Sequence, residues 1–264
     1  MKKRLITGAI LFLVSSIAII MGKGYFFSLV LGATLLGLFE LLKMSAPTRY
    51  KRLFPSAAAI VTTILILSNF KPAFFNSIVI MTVVLIILGI MIKELISKQL
   101  IWQKPLYLRW LRAALLFSAT CPFLILIRNA PEGIIWTIYC LLIIAASDSF
   151  ALFGGRIFGK RPLTQISPKK TIEGSLTGLI MSGLVSAAFC MIIPVSALTL
   201  FFMGLLVSLL AQTGDLHESL TKRLYQVKDS STLLPGHGGF YDRLDSYLMV
   251  IPVVYYLVYG GFWL

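Results

Sequence analysis

Uncharged or nearly uncharged runs, each about as long as a bilayer crossing, recur from one end of this chain to the other, and little else constrains its fold as strongly. They fall at approximately 5–21, 25–42, 53–70, 74–92, 110–127, 134–153, 175–193, 195–213 and 247–264. The expected fold class is therefore all-α: a polytopic integral membrane protein with about nine transmembrane helices. Composition agrees, since 58% of the 264 residues are apolar and 13% are charged, against an apolar share of about half or below in soluble domains.

The first run follows Met1-Lys2-Lys3-Arg4, as a secretory signal would, but a second begins almost at once across the turn Gly22-Lys23-Gly24. A retained helical hairpin is the better reading. Cys121, Cys140 and Cys190 all fall inside apolar runs, without paired spacing that would suit zinc or a disulfide framework, and are expected to be packing residues.

Lysine and arginine near span ends resist translocation, so the basic side of the molecule marks the cytoplasm. With the N-terminus inside, that side holds 21 of the 24 basic residues, and the other side holds only Lys23, Lys71 and Arg128. The expectation is nine spans, the N-terminus cytoplasmic and the C-terminus on the opposite side. The net charge of +14 is then explained by topology and by attraction to anionic headgroups of membrane lipids, and no nucleic-acid partner is expected.

One membrane-embedded domain, 1–264, accounts for the chain. Residues 1–110 read as N-terminal helices without a recognisable site; Glu40 and Glu94 there are expected to be interfacial residues with the lysine neighbours Lys43 and Lys93. Residues 111–264 form a catalytic half with two long cytoplasmic connections, 154–174 and 214–246, and long loops in a compact fold usually serve function. The second holds Asp215, Glu218, Asp229, Asp242 and Asp245, half of the chain's ten acids, with both histidines, His217 and His237.

Asp242 and Asp245 stand three apart at the mouth of the ninth run, which on a helix brings their Cβ atoms to about 5–6 Å. Asp215 stands at the corresponding mouth of the eighth run. Three carboxylates at one membrane face repel unless a cation lies among them, and Mg²⁺ prefers such oxygen ligands. Asp148 lies inside the sixth run, where an acid must face protein, ion or water; the expected metal set is Asp215, Asp242, Asp245 and Asp148. Lys222, Arg223, Lys228 and Arg243 supply cations for phosphate, and Gly236, Gly238 and Gly239 let the backbone approach a ligand around His237. Gly154 to Lys160 has Walker A spacing, but Arg161 and Pro162 follow and a membrane helix precedes, so it fails as a nucleotide loop. Arg156, Lys160, Lys169 and Lys170 read as headgroup- or substrate-facing cations, and Gly174-x-x-x-Gly178 as a close helix-packing site.

These residues resemble the signature of the phosphatidate cytidylyltransferases, or CDP-diacylglycerol synthases. The match runs from Ser219 through Lys222-Arg223, Lys228-Asp229, Pro235-x-His237-Gly238-Gly239 and Asp242-Arg243-x-Asp245. Upstream it continues through Gly214-Asp215-Leu216, Glu218-Ser219, Ile166-Ser167-Pro168-Lys169-Lys170-Thr171-x-Glu173-Gly174 and Asp148. It departs at Thr221, where the family usually has an apolar residue, and after Asp148, where Ser149-Phe150-Ala151-Leu152 stands in place of Thr-Gly-Ala-Tyr. The first half agrees only in hydropathy.

The resemblance implies transfer of CMP from CTP to phosphatidate, giving CDP-diacylglycerol and pyrophosphate, with Mg²⁺ required and a second cation left open. It implies catalytic roles for Asp215, Asp242, Asp245, Lys222 and Arg223. Substrate binding would fall to Ser219, Lys228, Asp229, His237, Gly238, Gly239, Arg243, Lys169 and Lys170. It also implies a bacterial cytoplasmic (inner) membrane location with the site on the cytoplasmic face, and a homodimer. Two alternatives stay open: a CTP-dependent polyprenol- or phytol-type lipid kinase, and an ion-coupled transporter, although transporter sites sit near the midplane between repeated halves and no repeat is visible here.

Overall fold

The computed structural model describes residues 2–76, 78–100 and 105–260, the side chains of residues 2–5, 76 and 78 excepted. Lys104, the side chains of Lys2, Lys3 and Arg4, and the last four residues of the run at 247–264 thus lie outside the described residues. Among the described residues there are ten α-helices: α1 (Lys2–Met21), α2 (Lys23–Ser45), α3 (Tyr50–Phe70), α4 (Ile78–Ser97), α5 (Leu106–Thr120), α6 (Pro122–Asn129), α7 (Gly133–Phe158), α8 (Ile172–Ala188), α9 (Ala197–Leu224) and α10 (Tyr241–Tyr259). Among the described residues there is no β-strand, only isolated bridges at Pro162–Thr171 and Leu234–Gly238. Helices are what an apolar solvent demands, because each satisfies its backbone groups within itself.

Among the described residues seven helical segments are long and apolar enough to cross a bilayer: Lys23–Ser45, Tyr50–Phe70, Val79–Ser97, Leu106–Asn129, Gly133–Phe158, Ile172–Met191 and Ala197–Leu224. This makes the chain a polytopic membrane protein. The two further expected runs fall on α1, whose apolar part is the shorter Ile6–Met21, and on α10, which begins with Asp242, Arg243 and Asp245. The run at 110–127 is one span broken into α5 and α6 at Cys121–Pro122, where proline lacks the N–H that would continue the helical ladder.

The connections gather at two ends. At one, Arg128 donates to the carbonyls of Ile19 (2.6 Å) and Ile20 (3.3 Å), Asn129 pairs with Asn69, and the hydroxyls of Tyr256 and Tyr259 reach the carbonyls of Phe75 and Pro131. Gly22 turns the chain there at φ 61°, beneath the Arg128 guanidinium, where a side chain would have no room. At the other end Arg109 donates to the Ser45 carbonyl at 2.6 Å, Lys98 reaches Gln165, and the segments 159–171 and 225–240 meet α2, α9 and α10. The connections expected to be cytoplasmic share this second end.

Helices α7, α8 and α9 pack most closely, through small residues. A Cβ on Gly174 would come within 2.5 Å of the Ala151 carbonyl oxygen, and one on Gly178 within 2.7 Å of that of Ser147. The expected packing role of this pair is what the structure shows. On the α9 side, Gly204 lies against Ser182 and Ser186. Several polar side chains pair inside the seam: Ser147 with Ser208 at 2.7 Å, Tyr139 with Ser186 at 2.7 Å, and Gln212 with the Ser175 carbonyl at 3.1 Å. Cys121 and Cys140 are buried as expected, whereas Cys190 is exposed, because it sits in the short turn Phe189–Met191 where no helix covers it.

Candidate active site

The two connections expected at 154–174 and 214–246 are shorter than that. Helix α7 continues to Phe158, and α9 to Leu224, so Asp215, Glu218, Ser219, Lys222 and Arg223 all stand on a helix. At about 1.5 Å per residue the 28 residues of α9 reach about 42 Å, beyond the roughly 30 Å of a hydrocarbon core. The helix is thus longer than the apolar layer, and its charged groups, from Asp215 on, are all in its last ten residues. Spacings of three and four put Asp215, Glu218 and Lys222 along one face.

Opposite that face α10 begins. Gly214 is in close contact with it: a Cβ there would lie 2.6 Å from the Asp245 carbonyl oxygen. This contact brings Asp215 and Glu218 to Asp245, and each of the three offers a carboxylate oxygen within 4.8 Å of the others. Asp215 pairs with Lys170, from the segment ahead of α8. Lys222 bridges Glu218 and Asp242, at 2.7 Å to each. Asp148, on α7, is exposed and near enough to Asp215, Lys170 and Arg243 to interact with them. All the acids of the expected set thus share one neighbourhood, and Glu218, which the sequence reading left without a role, belongs to its centre.

Asp242 has its oxygens engaged by the protein. Oδ1 takes Lys222, while Oδ2 accepts from the Ser230 amide (3.1 Å) and the Gly239 amide (2.8 Å) and lies 2.9 Å from the Ser230 hydroxyl. Such donors favour the ionised form. The glycine turn is shaped by the same carboxylate: Gly238 adopts φ 79°, which glycine tolerates without penalty, and a Cβ there would meet Asp242 Oδ2 at 2.4 Å. Leu234 and Gly238 close the turn, with the Leu234 amide 2.9 Å from the Gly238 carbonyl. His237 projects toward Gly8 of α1, 3.6 Å from the position a Cβ would take there, and its buried Nδ1 has no protein partner.

The remaining expected cations, Lys169, Arg223, Lys228 and Arg243, are exposed at this end, as are Asp229, Arg156 and Lys160; Ser219 is half-buried. The segment before α8 is held in place by its own contacts. Leu163 and Ile172 donate to the carbonyls of Lys170 and Arg161, Thr171 caps α8 by accepting from the Gly174 amide at 3.1 Å, and Glu173 accepts from the amides of Lys160 and Arg161. This is how Lys170 is presented to Asp215.

The first half of the chain enters the site through two acids, and here the interfacial expectation fails. Glu40 is fully buried on α2 and has four donors of the segment 230–241 within hydrogen-bond distance, the Ser230 hydroxyl among them. Glu94, on α4, is 1% exposed and takes a forked pair of bonds from Arg112 of α5 at 3.3 and 3.1 Å. His217 Nε2 lies 2.9 Å from Glu94 and 3.2 Å from Arg112, and Arg112 also donates to Thr221 at 3.2 Å. The hydroxyl of Thr221 therefore has a buried cation to serve. Neither acid stands near its partners in sequence, and the apolar surroundings of each were the only available sign.

A family model described as the cytidylyltransferase family matches residues 2–260. The chain belongs to this family. Full-length relatives agree: a phosphatidate cytidylyltransferase of Bacillus subtilis (strain 168) is 31% identical over 98% of this chain and 97% of its own length. One of Helicobacter pylori (strain J99 / ATCC 700824) is 32% identical over 98% and 92%. A third, of Synechocystis sp. (strain ATCC 27184 / PCC 6803 / Kazusa), reaches 44% identity over 50% of this chain and 45% of the relative. As a cytidylyltransferase-family protein the chain is a nucleotidyltransferase, and its carboxylates and cations form the one cluster of this kind among the described residues.

Proposed function

We propose that this cytidylyltransferase transfers CMP from CTP to phosphatidate, giving CDP-diacylglycerol and pyrophosphate, from the cytoplasmic face of a bacterial inner membrane. The observation that carries the reading is the convergence of Asp215, Glu218 and Asp245 beside Lys170 and Lys222, in a chain whose family match runs nearly end to end. The reaction joins two anions. A phosphate oxygen of phosphatidate forms a bond to the α-phosphorus of CTP, the α–β P–O bond breaks, and pyrophosphate carries away its electron pair. Catalysis of this kind is positioning and charge neutralisation, and no general base is required of the protein, since the attacking monoester is already largely dianionic near neutral pH.

The donor set is all oxygen, which suits Mg²⁺ or a similar hard cation. Asp215, Glu218 and Asp245 would hold it, with Asp148 beside them and Asp242 orienting the group through Lys222. When bound, the ion supplies positive charge for the phosphates. Lys170, Lys222, Arg223, Lys228, Lys169 and Arg243 would balance the phosphates of both substrates, and His237, with its free buried Nδ1, would sit beside the nucleotide. Half-buried Ser219 and exposed Asp229 lie close by in the same segments.

CTP would reach this edge from the cytosol and phosphatidate sideways from the inner leaflet. Nine crossings, with the N-terminus inside and the C-terminus outside, belong to the same proposal, supported by the shared end of the basic loops. So does the homodimer, which rests on the resemblance alone. The test is CTP labelled at the α- or the γ-phosphate, given to purified protein with Mg²⁺, phosphatidate and a polyprenol as competing acceptors. Label from the α position is expected in the phosphatidate-derived lipid; γ label in the polyprenol would identify a lipid kinase and overturn the reading.

A further inference from the structure

We infer that Glu40, on α2, is a positioning residue for this site: it holds the segment 230–241 so that α10 presents Asp242 and Asp245 to α9. The inference rests on the cytidylyltransferase reading for its kinetic test, though not for its structural one.

Glu40 has no exposed surface, and a buried carboxylate persists only where donors replace its water. Oε1 accepts from the Ser231 hydroxyl at 2.6 Å and the Phe240 amide at 3.1 Å. Oε2 accepts from the Tyr241 amide at 2.9 Å and lies 2.9 Å from the Ser230 hydroxyl. Phe240 is the residue just ahead of α10 and Tyr241 its first residue, and the Phe240 side chain makes no capping hydrogen bond to the helix. Their amides have no partner within α10. Glu40 thus supplies the cap from a different helix, with its negative charge at the positive end of the α10 dipole.

From there contacts run without a break to the carboxylate cluster. The Ser230 hydroxyl is 2.9 Å from both Glu40 Oε2 and Asp242 Oδ2 and has one proton for the two. Asp242 binds Lys222, and Lys222 binds Glu218. Gly239 records the same constraint: a Cβ there would lie 2.2 Å from Glu40 Oε2 and 2.1 Å from the Ser230 hydroxyl. The glycine that the sequence assigns to ligand approach is needed because Glu40 and Ser230 fill that space. Glu40 therefore acts through the loop and helix it holds.

Glu40→Gln places an NH₂ group against donors while keeping size and shape. The variant, purified in detergent and shown to melt like the wild type, is expected to lose about 10- to 100-fold in kcat for α-labelled CDP-lipid formation, as small misplacements of reacting groups do. Amide exchange in the peptide spanning 228–243 should quicken by about tenfold or more, with α7 and α8 unchanged, which marks a local loosening. Glu40→Asp should recover part of both. A Glu40→Gln protein with wild-type kcat and wild-type exchange in 228–243 overturns the inference. If Glu40→Gln does not fold, Ser231→Ala removes a single donor to Oε1, and faster exchange of the Phe240–Tyr241 segment is expected; unchanged exchange there overturns the inference equally. Failure of the wild type to label lipid would count against the proposed reaction, while the exchange result would still decide the role of Glu40.

Discussion

Glu218 takes the place in the carboxylate cluster that spacing alone suggests for Asp242. Asp242 and Asp245 stand three apart and look equivalent, yet Asp242 is held by Ser230, Gly239 and Lys222, while Asp245 turns toward Asp215 and Glu218. Local sequence cannot separate them, because what distinguishes them is a loop that folds back over one and leaves the other facing α9. The consequence is a prediction about charge. Asp245→Asn removes a negative charge from the centre of the cluster with almost no change in shape, and should lower CDP-lipid formation by about 100-fold or more, on the scale set by losing a preorganised electrostatic group. The measurement is the rate with phosphatidate at saturating CTP and Mg²⁺, on protein that elutes as the wild type does; a wild-type rate would remove Asp245 from the ion-holding set.

Helix α9 is the element on which both halves of the molecule converge. One face of its final turns carries Asp215, Glu218 and Lys222, and another carries His217 and Thr221 into the buried cluster with Arg112 and Glu94. The cluster ties α9 to α4 and α5 just beneath the site. Arg112 is 7% exposed and Glu94 1%, so removing one charge strands the other in an apolar setting. Arg112→Ala should destabilise the protein by about 3–5 kcal/mol, whereas Arg112→Met combined with Glu94→Gln should cost less than the two changes added together. Thermal unfolding in detergent, run as a double-mutant cycle, reads this directly; strict additivity would mean that the two side chains do not depend on each other.

For the whole molecule, the strongest sequence expectation concerns which connections lie together. The structure gathers Ser45, Lys98, Lys170, Lys222 and Asp242 at one end and Gly22, Arg128, Pro131 and Tyr259 at the other, which is the division that basic residues suggested. In a chain with Cys190 replaced by serine, Lys169→Cys should resist a membrane-impermeant thiol reagent in intact cells and Gly260→Cys should react. Both resisting would place the end of α10 on the cytoplasmic side and reduce the nine crossings.

Legibility followed the range of the forces involved. The apolar runs, the basic bias and the glycine spacing of α8 are local properties of the chain in a bilayer, and each could be read one segment at a time. So could the acids and cations of the second half, because their density in so apolar a chain has no explanation in membrane topology. What tertiary structure decided is which side chains share a hydrogen bond across long separations. The partners of Glu40 stand 190 to 201 residues away and His217 stands 123 from Glu94; a buried carboxylate is defined by those donors, and they come together only when the helices pack.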